Sequence, residues 1–83
     1  MKYCVKIEVS LKPGHTDPEG NTTQRLLKEL GYSVDAVNVS KTYNMQIEAP
    51  TTKDAKTKAE EMAKRLLANP TKDNYTIKVE EQK

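Results

Sequence analysis

Very few side chains in this sequence could act as a nucleophile, an acid–base catalyst or a metal ligand. There is one cysteine, Cys4, and one histidine, His15. A metal site needs several Cys, His or carboxylate ligands at suitable spacing, and the sequence shows no such cluster. A nucleophilic cysteine needs a neighbouring base, and the only imidazole belongs to His15. We therefore interpret Cys4 as a small packing or interface residue, and we expect no catalytic residue and no metal site.

The glycines do not form a nucleotide-binding signature either. Neither Gly14 nor Gly20 is followed by the Gly-Lys-Ser/Thr that cradles phosphates. His15 lies in a predicted loop beside Asp17, where an imidazole could bind a partner's carboxylate or titrate near neutral pH, although a solvated loop residue is the simpler interpretation. We expect this chain to hold no cofactor of its own.

Length and composition indicate one small domain of 83 residues, ordered over about 2–80. No apolar run approaches the ~20 residues of a membrane span, so we expect no membrane partner. The formal net charge is only +2, and Lys far outnumbers Arg among the 14 cations, which argues against a nucleic-acid binder. A single cysteine excludes an internal disulfide and fits a reducing compartment, so we expect a cytoplasmic location.

Although the sequence offers few side chains for catalysis, its apolar residues recur at the spacings of strands and helices. Apolar and polar residues alternate over 3–11, which predicts a strand with one apolar face. Asp17-Pro18 is typical of a helix start and Gly31 of a helix end, which predicts a helix over about 18–30. Valines at alternate positions predict a second strand over 34–39.

The second half of the chain repeats this pattern. Residues 45–49 are predicted as a third strand, joined to the second by a three-residue loop at 40–42 that pairs Val39 with Tyr43. Residues 51–54 are predicted to cap a second helix that ends at 68–70, and 75–79 form a last strand. The polar tail at 81–83 is expected to fray.

The order β-α-β-β-α-β predicts an α+β fold of the ferredoxin-like type, a two-layer sandwich with an antiparallel sheet and two helices on one face. Domains of this topology that bind RNA stack bases on aromatic residues of the open sheet face. Here the alternation turns Tyr3, Tyr43 and Tyr75 toward the helices, so that face is a poor stacking platform. A small-molecule regulatory domain of the same topology stays open as an alternative.

The most informative segment follows the first strand. A strand exit, a turn and a capped helix start explain most of residues 11–20, but not Gly20, which costs ~1 kcal/mol relative to Ala within a helix. Glycine at this position indicates close approach of another backbone, with a partner's backbone as one candidate. The residues that we assign to a protein interface are Lys12, Pro13, Gly14, His15, Asp17 and Gly20.

The same segment carries a family resemblance. Leu11-Lys12-Pro13-Gly14, followed by Asp17-Pro18, Gly20 and Leu30-Gly31-Tyr32, resembles the PurS family, the small subunits of phosphoribosylformylglycinamidine (FGAM) synthase. Residues 66–70 and Tyr75 are similar to that family's second-helix end and last strand. The likeness is collinear over roughly residues 3–80.

The resemblance implies a non-catalytic assembly subunit in de novo purine biosynthesis. In that family a PurQ-type glutaminase releases ammonia, and a PurL-type synthetase uses ATP and Mg to join it to formylglycinamide ribonucleotide. The small subunit carries neither active site and bridges the other two. The implied partners are therefore the synthetase, the glutaminase and further copies of the chain, with a dimer as the default and a tetramer of two dimers as the alternative.

Overall fold

The computed structural model describes residues 1–82 and contains a three-stranded sheet, two α-helices and a π-helical turn. The tail expected to fray is ordered where it is described, because Glu81 belongs to the last strand and the N–H of Gln82 donates to the carbonyl of Lys2 at 2.9 Å; Lys83 lies outside the described residues. Strand β1 is central and pairs antiparallel with β2 on one side and β3 on the other. In chain order the elements are β1 (Lys2–Leu11), α1 (Pro18–Glu29), β2 (Lys41–Glu48), α2 (Thr52–Met62), the π-helical turn (Ala63–Leu67) and β3 (Asp73–Glu81).

The odd-numbered residues of the three strands form one apolar sheet face. The register places Val5 opposite both Met45 and Val79, so apolar side chains line up across the sheet. The side of α2 that meets this face carries alanines, which let the helix backbone approach the sheet closely. The residues buried most completely where the helix meets the sheet are Tyr3, Val5, Ile7, Ala55, Ala59 and Ala63.

Helix α2 begins as the sequence predicts. The hydroxyl of Thr51 accepts a hydrogen bond from the N–H of Asp54 at 3.1 Å, which satisfies one free donor of the first turn. Beyond Met62 the helix widens into the π-helical turn, where the N–H of Ala68 donates to the carbonyl of Ala63 at 2.8 Å. Residue Ala68 is extended and ends the helix.

The predicted strand over 34–39 is wrong, and so is the hairpin loop at 40–42. Residues 33–40 form no strand, and Lys41 already belongs to β2, where it pairs with Val9 of β1. The segment runs beside α1 instead, because the side chain of Gln24 donates to the carbonyls of Val34 at 3.0 Å and Asp35 at 2.6 Å. The sheet of the described chain therefore has three strands where four were expected.

Helix α1 lies away from the sheet. It makes at most marginal contact with the strands or with α2, so in a single chain it does not share in covering the sheet. Helix α1 and the segment that returns along it, residues 18–39, form a projecting unit that we call the arm. The arm explains the elongated shape, 51 × 29 × 14 Å, and the exposure of Leu26, Leu30 and Tyr32.

The fold class is nevertheless the expected one. The strand order β2-β1-β3 reproduces three adjacent strands of a ferredoxin-like sheet, and the connections through α1 and α2 are those of an α+β ferredoxin-like fold. What differs is the position of the arm, which holds the residues expected to form the fourth strand.

Candidate protein-interaction site

The loop that leaves β1 is a tight turn over Lys12–His15. The N–H of His15 donates to the carbonyl of Lys12 at 3.3 Å, and Gly14 has a φ of +89°. Proline at the second position and a glycine with positive φ at the third are the features of a type II β-turn. The turn projects Pro13 and His15 into solvent, and both are exposed.

The base of this turn is tied to the connection before β3. The backbone N–H of Lys12 donates to the carbonyl of Lys72 at 2.7 Å, and its side-chain Nζ donates to the carbonyl of Pro70 at 2.9 Å. The amine of Lys12 is thus committed to its own chain. Its role in the site is to hold the turn against residues 69–73.

Asp17 connects the turn to both ends of the arm. Its Oδ1 accepts from the N–H of Gly20 at 2.8 Å, as expected for a helix cap, and its Oδ2 accepts from the N–H of Val39 at 2.8 Å. Donation from Val39, and then from Gly20, favours the charged carboxylate and holds the pKa of Asp17 below its usual value. The two bonds fix where α1 begins and where the returning segment ends.

Gly20 is buried and meets a backbone, as the sequence indicates, but the backbone belongs to its own chain. A Cβ at this position would collide with the carbonyl oxygen of Val37. The absence of a side chain therefore lets α1 and the returning segment lie in contact. Gly20 stands apart from the other residues assigned to the interface, since it is enclosed within the arm.

The remaining five residues assigned to an interface border one open groove of about 530 Å³. The turn after β1 forms one wall, and residues 38–40 form the other. Asp17 and Val39 also border a second groove of about 430 Å³ that leads toward Leu67 and Lys72. The residues that line the first groove are Glu8, Ser10, Leu11, Lys12, Pro13, Gly14, His15, Asp17, Asn38, Val39 and Ser40.

The groove is open and is lined by both polar and apolar residues. Its walls combine exposed polar groups, such as His15 and Asn38, with the ring of Pro13.

Cys4 lies away from the groove, on the opposite, polar face of the sheet, and is exposed. Among residues 1–82 no three His, Cys, Asp or Glu side chains come together to hold a metal ion. Over the same residues, neither helix has the length and apolar character needed to cross a bilayer.

Sequence reasoning missed the far wall of the groove. Asn38, Val39 and Ser40 were assigned to a strand and a hairpin loop, and the second role of Asp17 was not foreseen. An Asp-Pro helix start predicts that one carboxylate oxygen of the aspartate caps the helix. The donor to the second oxygen is 22 residues away, so no pattern near Asp17 could predict it. The one signal in the sequence was the polar residue type of Asn38, which favours a surface position.

Comparison with known proteins places residues 4–81 of the chain in one family. Residues 4–81 match the family model described as PurS, phosphoribosylformylglycinamidine (FGAM) synthase. The chain is 40% identical over 79 residues to the phosphoribosylformylglycinamidine synthase subunit PurS of Methanocaldococcus jannaschii, covering 94% of this chain and 95% of that protein.

Solved structures share the fold as well. The crystal structure of Methanocaldococcus jannaschii PurS, described as one of the subunits of formylglycinamide ribonucleotide amidotransferase, superposes with a TM-score of 0.86 at 39% identity, covering 98% of this chain and 99% of that chain. A chain in the structure of PurLQS from Thermotoga maritima gives a TM-score of 0.87 at 25% identity, covering 96% and 99%. The chain that carries the turn, the Asp17 contacts and the arm described above therefore belongs to the PurS family of FGAM synthase subunits.

Proposed function

We propose that this chain is the assembly subunit of an FGAM synthase and joins a PurL-type synthetase to a PurQ-type glutaminase. The observation that carries the proposal is the end-to-end match to a chain of the PurLQS structure, which covers 96% of this chain. The groove beside the turn is the surface that we assign to these partners. It is open and contains exposed side chains that no bond within the described chain occupies, His15 and Asn38 among them.

The benefit of such a subunit follows from the chemistry of ammonia. Ammonia in water at neutral pH is mostly protonated, and ammonium has no lone pair with which to attack. A subunit that holds a glutaminase against a synthetase keeps the released ammonia in a short, sheltered path. The chain itself needs no catalytic group and no cofactor for this role, since ATP and Mg are used by the synthetase, and we assign the complex to the cytoplasm.

Self-association is part of the same proposal. Leu30 is 74% exposed and Leu66 is 84% exposed in the single chain. Leu66 also borders a mostly apolar hollow together with Met62 and Leu67, and contiguous apolar surface marks association sites. We propose a homodimer as the basic unit, with a tetramer of two dimers as the larger form.

The test is size-exclusion chromatography with light scattering on this chain mixed with PurL and PurQ from the same source, in Mg-ADP and glutamine. Co-elution of all three proteins is expected. His15→Ala and Asn38→Ala should weaken the complex, whereas Lys56→Ala, an exposed change on α2 far from the groove, should not. Separate elution under all conditions would overturn the assembly role, and full complex formation by both groove variants would move the contact away from the groove.

A further inference from the structure

The pairing between β1 and β2 stops before β1 ends. Its last pair is Val9 with Lys41, whereas β1 continues to Leu11 on the side that pairs with β3. The same register would place Val39 opposite Leu11 as the next pair. That pair is absent from the sheet, and the N–H of Val39 donates to the carboxylate of Asp17 instead.

The backbone of Leu11 has no strand partner on its β2 side. Consecutive residues of a strand direct their N–H and C=O groups toward opposite neighbouring strands. The N–H of Lys12 donates to Lys72 on the β3 side, so Leu11, the residue before it, directs its two groups toward β2. Within residues 1–82, neither group bonds to Val39, the residue that the register places opposite. A half-buried residue thus offers one backbone donor and one backbone acceptor at the end of the sheet.

Both grooves at this end of the sheet reach Leu11. The first groove, of about 530 Å³, includes Glu8 of the polar sheet face, and the second, of about 430 Å³, includes Tyr43 and Leu67 of the apolar side. Leu11 and Val39 border both grooves. The gap between the end of β1 and the end of the arm is therefore accessible from both faces of the sheet.

We propose that a partner subunit of the complex inserts an extended segment into this gap and pairs with Leu11 as a short added strand. The inference rests on the assembly role proposed above and specifies how the partner is held. One residue of the segment accepts from the N–H of Leu11 and donates to its C=O, in the position that the register reserves for residue 39. Peptides are commonly recognised by adding a strand to an open sheet edge, because main-chain hydrogen bonds supply the affinity.

The two sheet faces specify which residues the segment should contain. Residues directly opposite each other in a sheet point to the same face, so the residue that pairs with Leu11 points to the apolar face. Its side chain enters the second groove beside Tyr43 and Leu67 and should be apolar. The residues before and after it point into the first groove, where His15 and Asn38 present polar groups. The expected segment therefore reads polar, apolar, polar.

The chain's own arm is held away from this gap. Moving residues 37–39 across to Leu11 would break the bond from Val39 to Asp17 and part the carbonyl of Val37 from Gly20. The opposite wall is equally fixed, because Lys12 ties the turn after β1 to residues 69–73. Both walls are in place before a partner arrives, which lowers the cost of ordering them on binding. These contacts favour a segment of another subunit as the occupant.

Quenched hydrogen exchange on the wild-type chain tests the added strand. The isotope-labelled chain is exchanged alone and in the complex with unlabelled PurL and PurQ, and the remaining amide protons are then read by nuclear magnetic resonance. The Leu11 amide should exchange about a hundredfold more slowly in the complex than in the chain alone. The Lys12 amide, which is bonded to Lys72, is the matched control and should be protected in both samples.

Photo-crosslinking identifies the inserted segment. Benzoylphenylalanine is placed at Asn38 in the first groove, at Lys72 in the second, and at the exposed Lys56 of α2 as the control. The two groove positions should crosslink to neighbouring residues of one partner segment with the polar, apolar, polar order, and position 56 should not. Crosslinks from the two grooves to unrelated segments, or to a helix, would contradict the added strand.

The outcomes of hydrogen exchange separate this inference from the assembly role. If the three proteins form a complex in which the Leu11 amide exchanges as fast as in the chain alone, the added strand is overturned and the assembly role stands. Protection of Leu11 already present in the chain alone also overturns the added strand, because this chain or a second copy then fills the gap. Failure of the complex to form overturns both.

Discussion

The carboxylate of Asp17 joins the first turn of α1 to the backbone N–H of Val39, which lies 22 residues further along the chain. Both hydrogen bonds measure 2.8 Å. One side chain therefore caps the helix and closes the arm. Because β2 begins two residues after Val39, the same contact determines where the arm leaves the sheet.

Removing the Asp17 carboxylate should loosen the arm. Asp17→Ala deletes the acceptors of two backbone N–H groups and is expected to lower the melting temperature measured by circular dichroism. Asp17→Asn keeps one oxygen acceptor and should lower it less. Glu19→Ala, an exposed change in the same turn, serves as the control. Equal melting temperatures for Asp17→Ala and the wild type would show that the two hydrogen bonds contribute no net stability.

The Asp17 contacts also predict a pH dependence. Donation from Val39 and Gly20 lowers the pKa of the folded carboxyl below the ordinary value of 3.8. The stabilisation is therefore complete well above pH 3.8 and is lost as the pH falls through the lower, folded pKa. Urea unfolding should show a stability gap between wild type and Asp17→Asn near pH 7 that narrows in strong acid. A constant gap across that range would contradict this assignment.

Gly20→Ala should destabilise the chain although alanine is the better helix former. The gain in helix propensity is about 1 kcal/mol, but the new methyl group would collide with the carbonyl of Val37 and push the returning segment off α1. The matched control is Asn21→Ala, where the neighbouring side chain is exposed and the propensity gain is unopposed. Urea denaturation should place the two variants on opposite sides of the wild type.

Gly14→Ala should strain the turn after β1. The φ of +89° at Gly14 is in the left-handed region, where a Cβ costs roughly 1–2 kcal/mol, while the space around it is open. Gly14→Asn should cost less, because asparagine tolerates such angles better. Chemical denaturation measures the cost. If both variants were as stable as the wild type, the turn would have to have changed its conformation.

The open sheet face contains a pair of like charges. Lys6 and Lys78 are directly opposite each other on β1 and β3, an arrangement that disfavours strand pairing. Lys78→Glu should replace repulsion by attraction and raise the free energy of unfolding by about 0.2–1 kcal/mol at low salt. The effect should shrink in 1 M salt. A loss of stability would indicate that Lys78 has a favourable contact not accounted for by its cross-strand neighbour.

Elements whose signals are local could be predicted from the sequence. The alternation over β1 and β3, the Asp17 start of α1 and the Thr51 start of α2 all lie within a few residues of the structure that they specify. The ferredoxin-like class follows from their order. The turn after β1 could likewise be predicted, because proline and glycine favour turns through their own backbone angles.

The strand expected over 34–39 shows where local reasoning ends. Alternating valines indicate that one face of the segment is buried, but they do not indicate against which sheet. Strand pairing depends on a partner that is distant in sequence or on another chain. Gly20 behaves similarly, because its type indicates a close approach without naming Val37 as the neighbour.

The sequence by itself determined β1, the first residues of both α-helices, the last strand and the turn after β1. The tertiary structure decided that the arm stands away from the sheet and that the turn faces Asn38 and Ser40 across a groove. The physical reason is that the carboxylate of Asp17 accepts the N–H of Val39, a residue 22 positions away, so the contact arises only when the chain between them has folded back.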